Sequence, residues 1–250
     1  MVNGAGFRSR ITNASILKRS RIILALDTTG GVGSKEIALK TISQLQEYIC
    51  AIKLNHHLIL PLSKSDLAEI NRLAHSHGLQ SIADLKLNDI PSTNKIAISL
   101  ALSMGFDALT VNPFIGRASL RSAVEEAHRS LGGLIGLVYM SHSGAREGFG
   151  INFINRNTDV EPIYQKFFQD ALACHMDGVI VGANRMGVLR KLSLMKRRIP
   201  IYSPGIGVQG GDLKRAAASG VDYFVIGRSI IRSKDPINTV KRLYRHIRSG

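Results

Sequence analysis

The chain has 250 residues, 44% of them hydrophobic, so it is long enough to bury a sizeable core. Its 33 basic and 18 acidic residues give a net charge of +15, which favours anionic partners such as phosphorylated metabolites or nucleic acids. Cys50 and Cys174 lie far apart without C-x-x-C spacing, which argues against a disulfide framework or a zinc cluster. No apolar run approaches the roughly 18 residues of a membrane span, and the N-terminus has no long apolar stretch resembling a secretory signal. We therefore expect a soluble, cytoplasmic protein.

Short apolar runs recur along the chain, each followed by a turn cluster and then by a helical pattern. This layout is typical of successive βα units around a parallel sheet. Amphipathic segments, with apolar residues three and four apart, lie at 35–48, 67–77, 119–129, 161–175 and 236–247. The predicted strands lie at 21–26, 51–54, 81–85, 108–111, 134–138, 178–181, 199–203 and 223–226.

Eight strand–helix repeats predict a single-domain α/β fold, a closed (β/α)₈ TIM barrel that spans residues 21–250. An open, doubly wound sheet of similar length is the main structural alternative. Residues 1–20 are basic and show no strand pattern, so we interpret them as an extension or as a helix covering the bottom of the barrel. The longest connection, 142–158, is rich in Gly, Asn and Ser and is the candidate for a mobile loop over the site.

Charged side chains cluster at the end of the third predicted strand. Asp84 and Lys86 are two residues apart and so share one face of the strand, and Asp89 lies just beyond it. Asp27 and Lys53 end the first and second strands, so five groups of alternating sign are expected at one pocket mouth.

At an effective dielectric near 20, opposite charges about 4 Å apart attract by about 4 kcal/mol, which keeps lysines protonated and aspartates ionised. Such an array is a preorganised field with a proton donor inside it. A salt bridge in the barrel interior is the structural alternative for an isolated D-x-K pair.

A phosphate site is predicted after the last two strands. The segment 203–211 is rich in glycine and contains Gln209, and Gly227-Arg228-Ser229 follows the final strand. In barrels this is the usual phosphate position because glycine amides face the anion there, and an arginine adds a cation that can bind in bidentate fashion.

Taken together, these motifs resemble the orotidine 5′-monophosphate decarboxylase family, whose hallmark is D-x-K-x-x-D-I-P followed shortly by threonine. Here that hallmark is Asp84, Lys86, Asp89-Ile90-Pro91 and Thr93. The likeness extends in unbroken order over about residues 21–235. It also includes L-A-L-D ending at Asp27, I-K at Lys53, M-S-H around Ser141, P-G-I-G-V-Q-G-G through Gln209, and I-G-R-S with Gly227 and Arg228.

The resemblance implies loss of CO₂ from C6 of orotidine 5′-monophosphate (OMP), giving UMP without a metal or a cofactor. Lys86 would protonate the C6 carbanion, and Asp84 and Asp89 would fix the lysine and face the substrate carboxylate. Asp27, Lys53 and Thr93 would hold the ribose, Ser141 the pyrimidine, and Gln209, Gly227 and Arg228 the phosphate.

Family members are dimers, so the resemblance also implies a homodimer in which Asp89, Ile90 and Thr93 enter the partner's site. One departure is visible: Ser143 stands where many members carry proline after Ser-His. We expect a looser loop there and the same reaction.

Two other functions remain open at this point. Magnesium-dependent sugar-phosphate decarboxylases and synthases of the same suprafamily share the D-x-K-x-x-D core. The Ile90-Pro91…Thr93 continuation and the Met-Ser-His loop favour the pyrimidine enzyme. The basic clusters would suit nucleic acid, but no nucleic-acid motif with interleaved aromatics accompanies them. His56 and His57 lack metal-like partners in sequence and are interpreted as structural or surface residues. Asp107, Asn184 and Arg185 are left without a role.

Overall fold

A computed structural model describes residues 5–27, 31, 33–154, 158–195, 199–206 and 213–248. Within these residues, eight parallel strands close into a barrel and two short strands pair separately. The strands are β1 (Ile22–Leu26), β2 (Ala51–Asn55), β3 (Gln80–Leu87), β4 (Ala108–Val111), β5 (Gly133–Tyr139), β6 (Asn152–Ile154), β7 (Val160–Pro162), β8 (Gly178–Val181), β9 (Ile201–Pro204) and β10 (Tyr223–Ile226).

The barrel strands follow one another in the order β1-β10-β9-β8-β5-β4-β3-β2, and β6 and β7 form an antiparallel hairpin. The predicted (β/α)₈ barrel is therefore confirmed, and the open doubly wound sheet is wrong. The helices are α1 (Phe7–Lys18), α2 (Ser34–Leu45), α3 (His56–Ile59), α4 (Lys64–Ser76), α5 (Pro91–Ser103), α6 (Arg117–Arg129), α7 (Ala145–Gly148), α8 (Ile163–Ala173), α9 (Met186–Ser193), α10 (Leu213–Ala218), α11 (Arg228–Ile231) and α12 (Pro236–Arg248).

The barrel strands coincide with the apolar runs because both faces of a parallel barrel sheet are covered, one by the core and one by the helices. Every residue of β1 and β5 is buried. β9 begins two residues later than predicted, at Ile201. The preceding residue, Pro200, has no N–H to donate to the sheet.

Helix α1 lies across the N-terminal ends of the barrel strands. Its buried Phe7 occupies the space that a side chain at Gly133 would need, since a Cβ there would come within 2.3 Å of the ring. Arg10 donates to the carboxylate of Asp107 at 3.0 Å and to the carbonyl of Leu131 at 2.8 Å. These contacts place the helix at the bottom of the barrel, opposite the ends of the strands where the predicted site lies.

An aspartate precedes each of β4, β8 and β10 and forms a reciprocal pair of hydrogen bonds with the neighbouring strand. Its backbone N–H donates to the carbonyl of one residue there, and its carboxylate accepts the N–H of that same residue. We call this arrangement an aspartate clasp. The three clasps are Asp107 with Ser81, Asp177 with Leu134, and Asp222 with Ile201.

The connection 142–158, predicted as a mobile loop, contains α7 and the strand β6, which pairs with β7 just beyond it. Aromatic contacts tie it to the barrel, because Phe149 packs against Tyr139 and Phe167 at ring-centroid distances of 6.1 and 6.2 Å. Residues 155–157 lie outside the described part. Among the helices that the structure describes, none has the length and apolarity to cross a membrane.

Candidate active site

Asp84 lies near the C-terminal end of β3 and accepts hydrogen bonds from two lysines. Lys53, on the adjacent strand β2, donates to Oδ2 at 2.6 Å, and Lys86 donates to Oδ1 at 2.8 Å. Burial alone would raise the pKa of Asp84, but the charges and hydrogen bonds of Lys53 and Lys86 outweigh it and hold that pKa far below its usual range. Asp84 is therefore a permanent carboxylate between two cations, in a buried position.

The strand is not regular at Lys86. This residue has a φ of +49°, a left-handed backbone conformation that is rare for residues other than glycine, asparagine and aspartate. The pairing of β3 with β4 shifts between Ala83 and Leu87, which marks a bulge around the lysine. Such backbone strain is often found at functional sites.

Thr110 of β4 lies opposite this bulge. Its hydroxyl accepts the backbone N–H of Lys86 at 2.8 Å and donates to Oδ1 of Asp84 at 2.9 Å. The Asp84 carboxylate thus receives three side-chain donors.

Asp27 follows β1 and lies close to the end of β10. Its Oδ1 accepts a hydrogen bond from Nδ2 of Asn55 at 2.7 Å. A Cβ built on Gly227 would lie 2.7 Å from Oδ2 of Asp27 and 2.9 Å from the carbonyl oxygen of Ala25. Only glycine fits at position 227 without displacing the aspartate or the strand.

A cavity of about 120 Å³ opens between these strand ends. Polar and charged side chains predicted to bind one ligand, including Lys53, Ser141 and Arg228, line it together with Gly227. Gln209 was predicted to join them, but it belongs to residues 207–212, which lie outside the described part of the chain. The lining residues are Ala25, Asp27, Lys53, Ser141, Pro204, Gly205, Ile206, Val225, Gly227, Arg228 and Ser229.

The segment after β5, which carries Ser141, is held from the loop after β8. Asn184 donates to the carbonyl of Ser141 at 2.8 Å, and Arg185 donates to that of His142 at 2.7 Å. Gly182 allows the approach, because a Cβ there would lie 2.7 Å from the Cα of Ser141. Asn184 and Arg185, which have no role in the sequence analysis, thus position the rim of the cavity.

Asp89, Ile90 and Thr93 are exposed and stand apart from the lysine pair. The carboxylate of Asp89 accepts the N–H of Ile90 at 2.7 Å, and its carbonyl accepts Nδ2 of Asn94 at 2.6 Å. No ion pair between Asp89 and either lysine occurs within the described residues of this single chain. Of the five charged groups expected at one mouth, the structure joins Lys53, Asp84 and Lys86 directly and sets Asp27 beside them, but leaves Asp89 outside.

Sequence reasoning missed the neutral side chains that orient the charged ones. No sequence motif includes Thr110, Asn55 or Asn184. Only their position near strand ends distinguishes them from other polar residues. His56 and His57 are exposed at the start of α3, and their ring nitrogens make no hydrogen bond in the described structure. Within the described residues, no group of three or more His, Cys, Asp or Glu side chains could hold a metal ion.

Residues 20–243 match the model of the orotidine 5′-phosphate decarboxylase / HUMPS family. The orotidine 5′-phosphate decarboxylase of Pyrococcus abyssi is 38% identical over 228 residues, which cover 91% of this chain and 99% of the relative.

The chain belongs to the orotidine 5′-phosphate decarboxylase / HUMPS family. The predicted family is thereby confirmed.

Solved structures of the family have the same fold. The crystal structure of orotidine 5′-phosphate decarboxylase from Pyrococcus horikoshii OT3 is 35% identical, with a TM-score of 0.73 over 91% of this chain and 99% of that one. The Methanocaldococcus jannaschii orotidine 5′-monophosphate decarboxylase, complexed with the inhibitor BMP, is 26% identical, with a TM-score of 0.79 over 91% of this chain and 98% of that one.

Proposed function

We propose that this chain is an orotidine 5′-phosphate decarboxylase that converts OMP to UMP in pyrimidine biosynthesis, without a metal or a cofactor. The observation that carries the proposal is the Lys53–Asp84–Lys86 array, built at the strand ends of a barrel of this family. The family description also covers HUMPS, but curated relatives that are 37–38% identical to this chain are named orotidine 5′-phosphate decarboxylases.

The reaction breaks the bond between C6 of the pyrimidine and the carboxylate carbon. CO₂ leaves, the electron pair stays on C6, and the Lys86 ammonium delivers a proton to that carbon and is later reprotonated from water. Two lysines and one aspartate leave the array with a net charge of +1, which stabilises the anion that develops beside it. Because the donors are already held by hydrogen bonds, little reorganisation accompanies the reaction.

The remaining side chains are assigned by the part of the substrate that each would hold. Arg228 and Gly227, with Gln209 of the adjacent segment, would bind the phosphate; Asp27 and Lys53 would bind the ribose. Ser141 would contact the pyrimidine. The support for this assignment is that Asp27, Lys53, Ser141, Gly227 and Arg228 line one cavity. Phosphate binding there supplies energy remote from the reacting carbon.

We also propose that the active site is completed by a second copy of the chain. Asp89, Ile90 and Thr93 are exposed, and Ile90 keeps 64% of its surface accessible. The exposed surface continues along α5 through Ile96 and Leu100. A cytoplasmic homodimer that buries this face would bring Asp89 to the partner's lysine. In each subunit, residues 21–250 would form the catalytic domain, with 1–20 beneath it.

An ultraviolet assay of OMP consumption, run with and without EDTA, tests the proposed function. We expect decarboxylation of OMP that is insensitive to the chelator. Loss of that activity in EDTA would contradict the metal-independent reaction, and no OMP consumption under either condition would favour the magnesium-dependent sugar-phosphate enzyme. Lys86→Ala should lower kcat by at least about a hundredfold because the proton donor is gone. A Lys86→Ala enzyme with more than about a hundredth of wild-type kcat would contradict the assigned role.

A further inference from the structure

We propose that Thr110 is a positioning residue that holds Lys86 in its productive orientation. The proposal rests on the proposed function of Lys86 as proton donor, and concerns how the chain fixes that lysine. No motif marks Thr110, which lies in the middle of the short strand β4 and is fully buried.

The strand pairing gives Thr110 an unusual place. Ala83 pairs with Leu109 and Leu87 pairs with Val111, so the three β3 residues at 84–86 face Thr110 alone. The surplus residues cannot all make the regular ladder of hydrogen bonds, and the strand bulges. The bulge contains both Asp84 and Lys86, so the geometry of the catalytic pair depends on what stabilises it.

The Thr110 hydroxyl supplies that support through two bonds. It accepts the Lys86 N–H at 2.8 Å, and it donates its own proton to Oδ1 of Asp84 at 2.9 Å. The same Oδ1 accepts Nζ of Lys86 at 2.8 Å. Backbone and side chain of the lysine are thus tied to one another through a single hydroxyl and a single carboxylate oxygen.

This connection explains how Lys86 keeps a φ of +49°. A lysine gains nothing from the left-handed region by itself, so surrounding bonds must hold it there. Because Thr110 is fully buried, water has no ready access to replace its hydroxyl. Loss of the hydroxyl should let the bulge relax and move the ammonium group relative to the substrate.

The test is Thr110→Val, which keeps the shape of the side chain and removes the hydroxyl. A displacement of about 1 Å can cost about a hundredfold in rate, so we expect kcat to fall at least about tenfold. KM for OMP should stay within about twofold, because the cavity at Arg228 is built from other strands. Thr110→Ser, which retains the hydroxyl, should restore most of kcat.

Ser81→Ala is the matched control. Ser81 is a buried hydroxyl residue on β3, the strand that carries Lys86, at the opposite end of the barrel. Its loss should lower the melting temperature and leave kcat unchanged. A crystal structure of Thr110→Val should show Lys86 with a changed φ.

Each result bears on the proposal. A Thr110→Val enzyme with kcat within about twofold of wild type would overturn it, as would equal loss in Thr110→Val and Thr110→Ser. A parallel fall of kcat in Ser81→Ala would show that the effect is general destabilisation and would also overturn the proposal.

If Thr110→Val does not fold, the comparison is between Thr110→Ser and Thr110→Ala. The proposal then requires that kcat of Thr110→Ser exceeds that of Thr110→Ala by at least about tenfold. Lys86→Ala, assayed alongside, distinguishes failure of the Thr110 proposal from failure of the proposed function. If Lys86→Ala keeps its activity, Lys86 is not the proton donor, whatever the result for Thr110.

Discussion

At the scale of single residues, the site is organised around one carboxylate. Asp84 is 7% exposed and receives Lys53, Lys86 and Thr110 as donors. A buried carboxylate with so many donors is stable only while they remain, because removing one partner of a buried ion pair costs about 3–5 kcal/mol. The arrangement includes the interior salt bridge that the sequence left open as an alternative, but it also presents the second ammonium group at the strand end.

Arg228→Ala should selectively weaken the binding of OMP. A hydrogen bond to a charged group contributes about 1.5–3 kcal/mol, so kcat/KM for OMP should fall by roughly tenfold to a hundredfold or slightly more. Orotidine, which lacks the phosphate, should be turned over by Arg228→Ala and wild type at the same rate. Arg232→Ala, an exposed arginine at the end of the same short helix α11, is the control. Equal losses with both substrates would show that Arg228 is structural.

At the scale of elements, helices are joined to the barrel through the aspartate clasps. His75 of α4 and His128 of α6 lie in the last turns of their helices and contact the clasp carboxylates of Asp107 and Asp177 at 2.8 and 2.9 Å. A protonated histidine at a helix C-terminus also interacts favourably with the helix dipole. The same carboxylate therefore binds a strand and a helix.

The contact between His128 and Asp177 predicts a pH-dependent stability. The hydrogen bond to Asp177 raises the pKa of His128 above its usual 6.5, although partial burial opposes the shift. A raised folded-state pKa stabilises the protein fully below the unfolded value, and that stabilisation is lost as the pH rises through the folded value. His128→Gln should thus lower the melting temperature more at about pH 5.5 than at about pH 8.5.

Thermal unfolding of His128→Gln and of wild type at both pH values measures this difference. An equal loss of stability for His128→Gln at both pH values would mean that packing of the ring, and not its charge, stabilises α6.

The sequence predicted the barrel because eight apolar runs alternate with helical segments, which is the number of repeats in a closed (β/α)₈ barrel. It also placed Asp84 and Lys86 together, through the two-residue period of a strand. It could not predict the bulge at Lys86, since two extra residues in β3 become visible only when β4 is paired beside it. Asn184 and Arg185 were equally hidden, because their acceptors are backbone carbonyls more than forty residues away.

At the scale of the whole molecule, the proposed dimer makes a quantitative prediction. Lys86→Ala and Asp89→Ala proteins should each be nearly inactive. After subunit exchange, about half of the dimers are mixed, and each has one intact site, so activity should recover to about a quarter of wild type. Mass spectrometry verifies the exchange. Verified exchange without recovery would mean that Asp89 acts within its own chain.

The positive charge is unevenly distributed along the chain. Residues 185–250 contain 15 basic and 3 acidic residues, a net +12 out of the total of +15, and Arg228 lies in this part of the chain. Such a field attracts anionic substrates over distances beyond contact, until salt screens it. We expect kcat/KM for OMP to fall as ionic strength rises while kcat stays constant. Orotidine, with less charge, should respond less, and an equal response would exclude steering of the phosphate.

The aspartate clasps also bear on how the chain reaches one fold among near misses. Parallel strands of similar apolar composition can slide past one another, and a shift by one residue turns every side chain to the opposite face. Where β4, β8 and β10 pair with their neighbours, such a slip would separate each carboxylate from the strand N–H that it accepts in the native register. Loss of a hydrogen bond to a buried backbone N–H is costly. The clasps therefore penalise misaligned strands and favour the native register of the barrel.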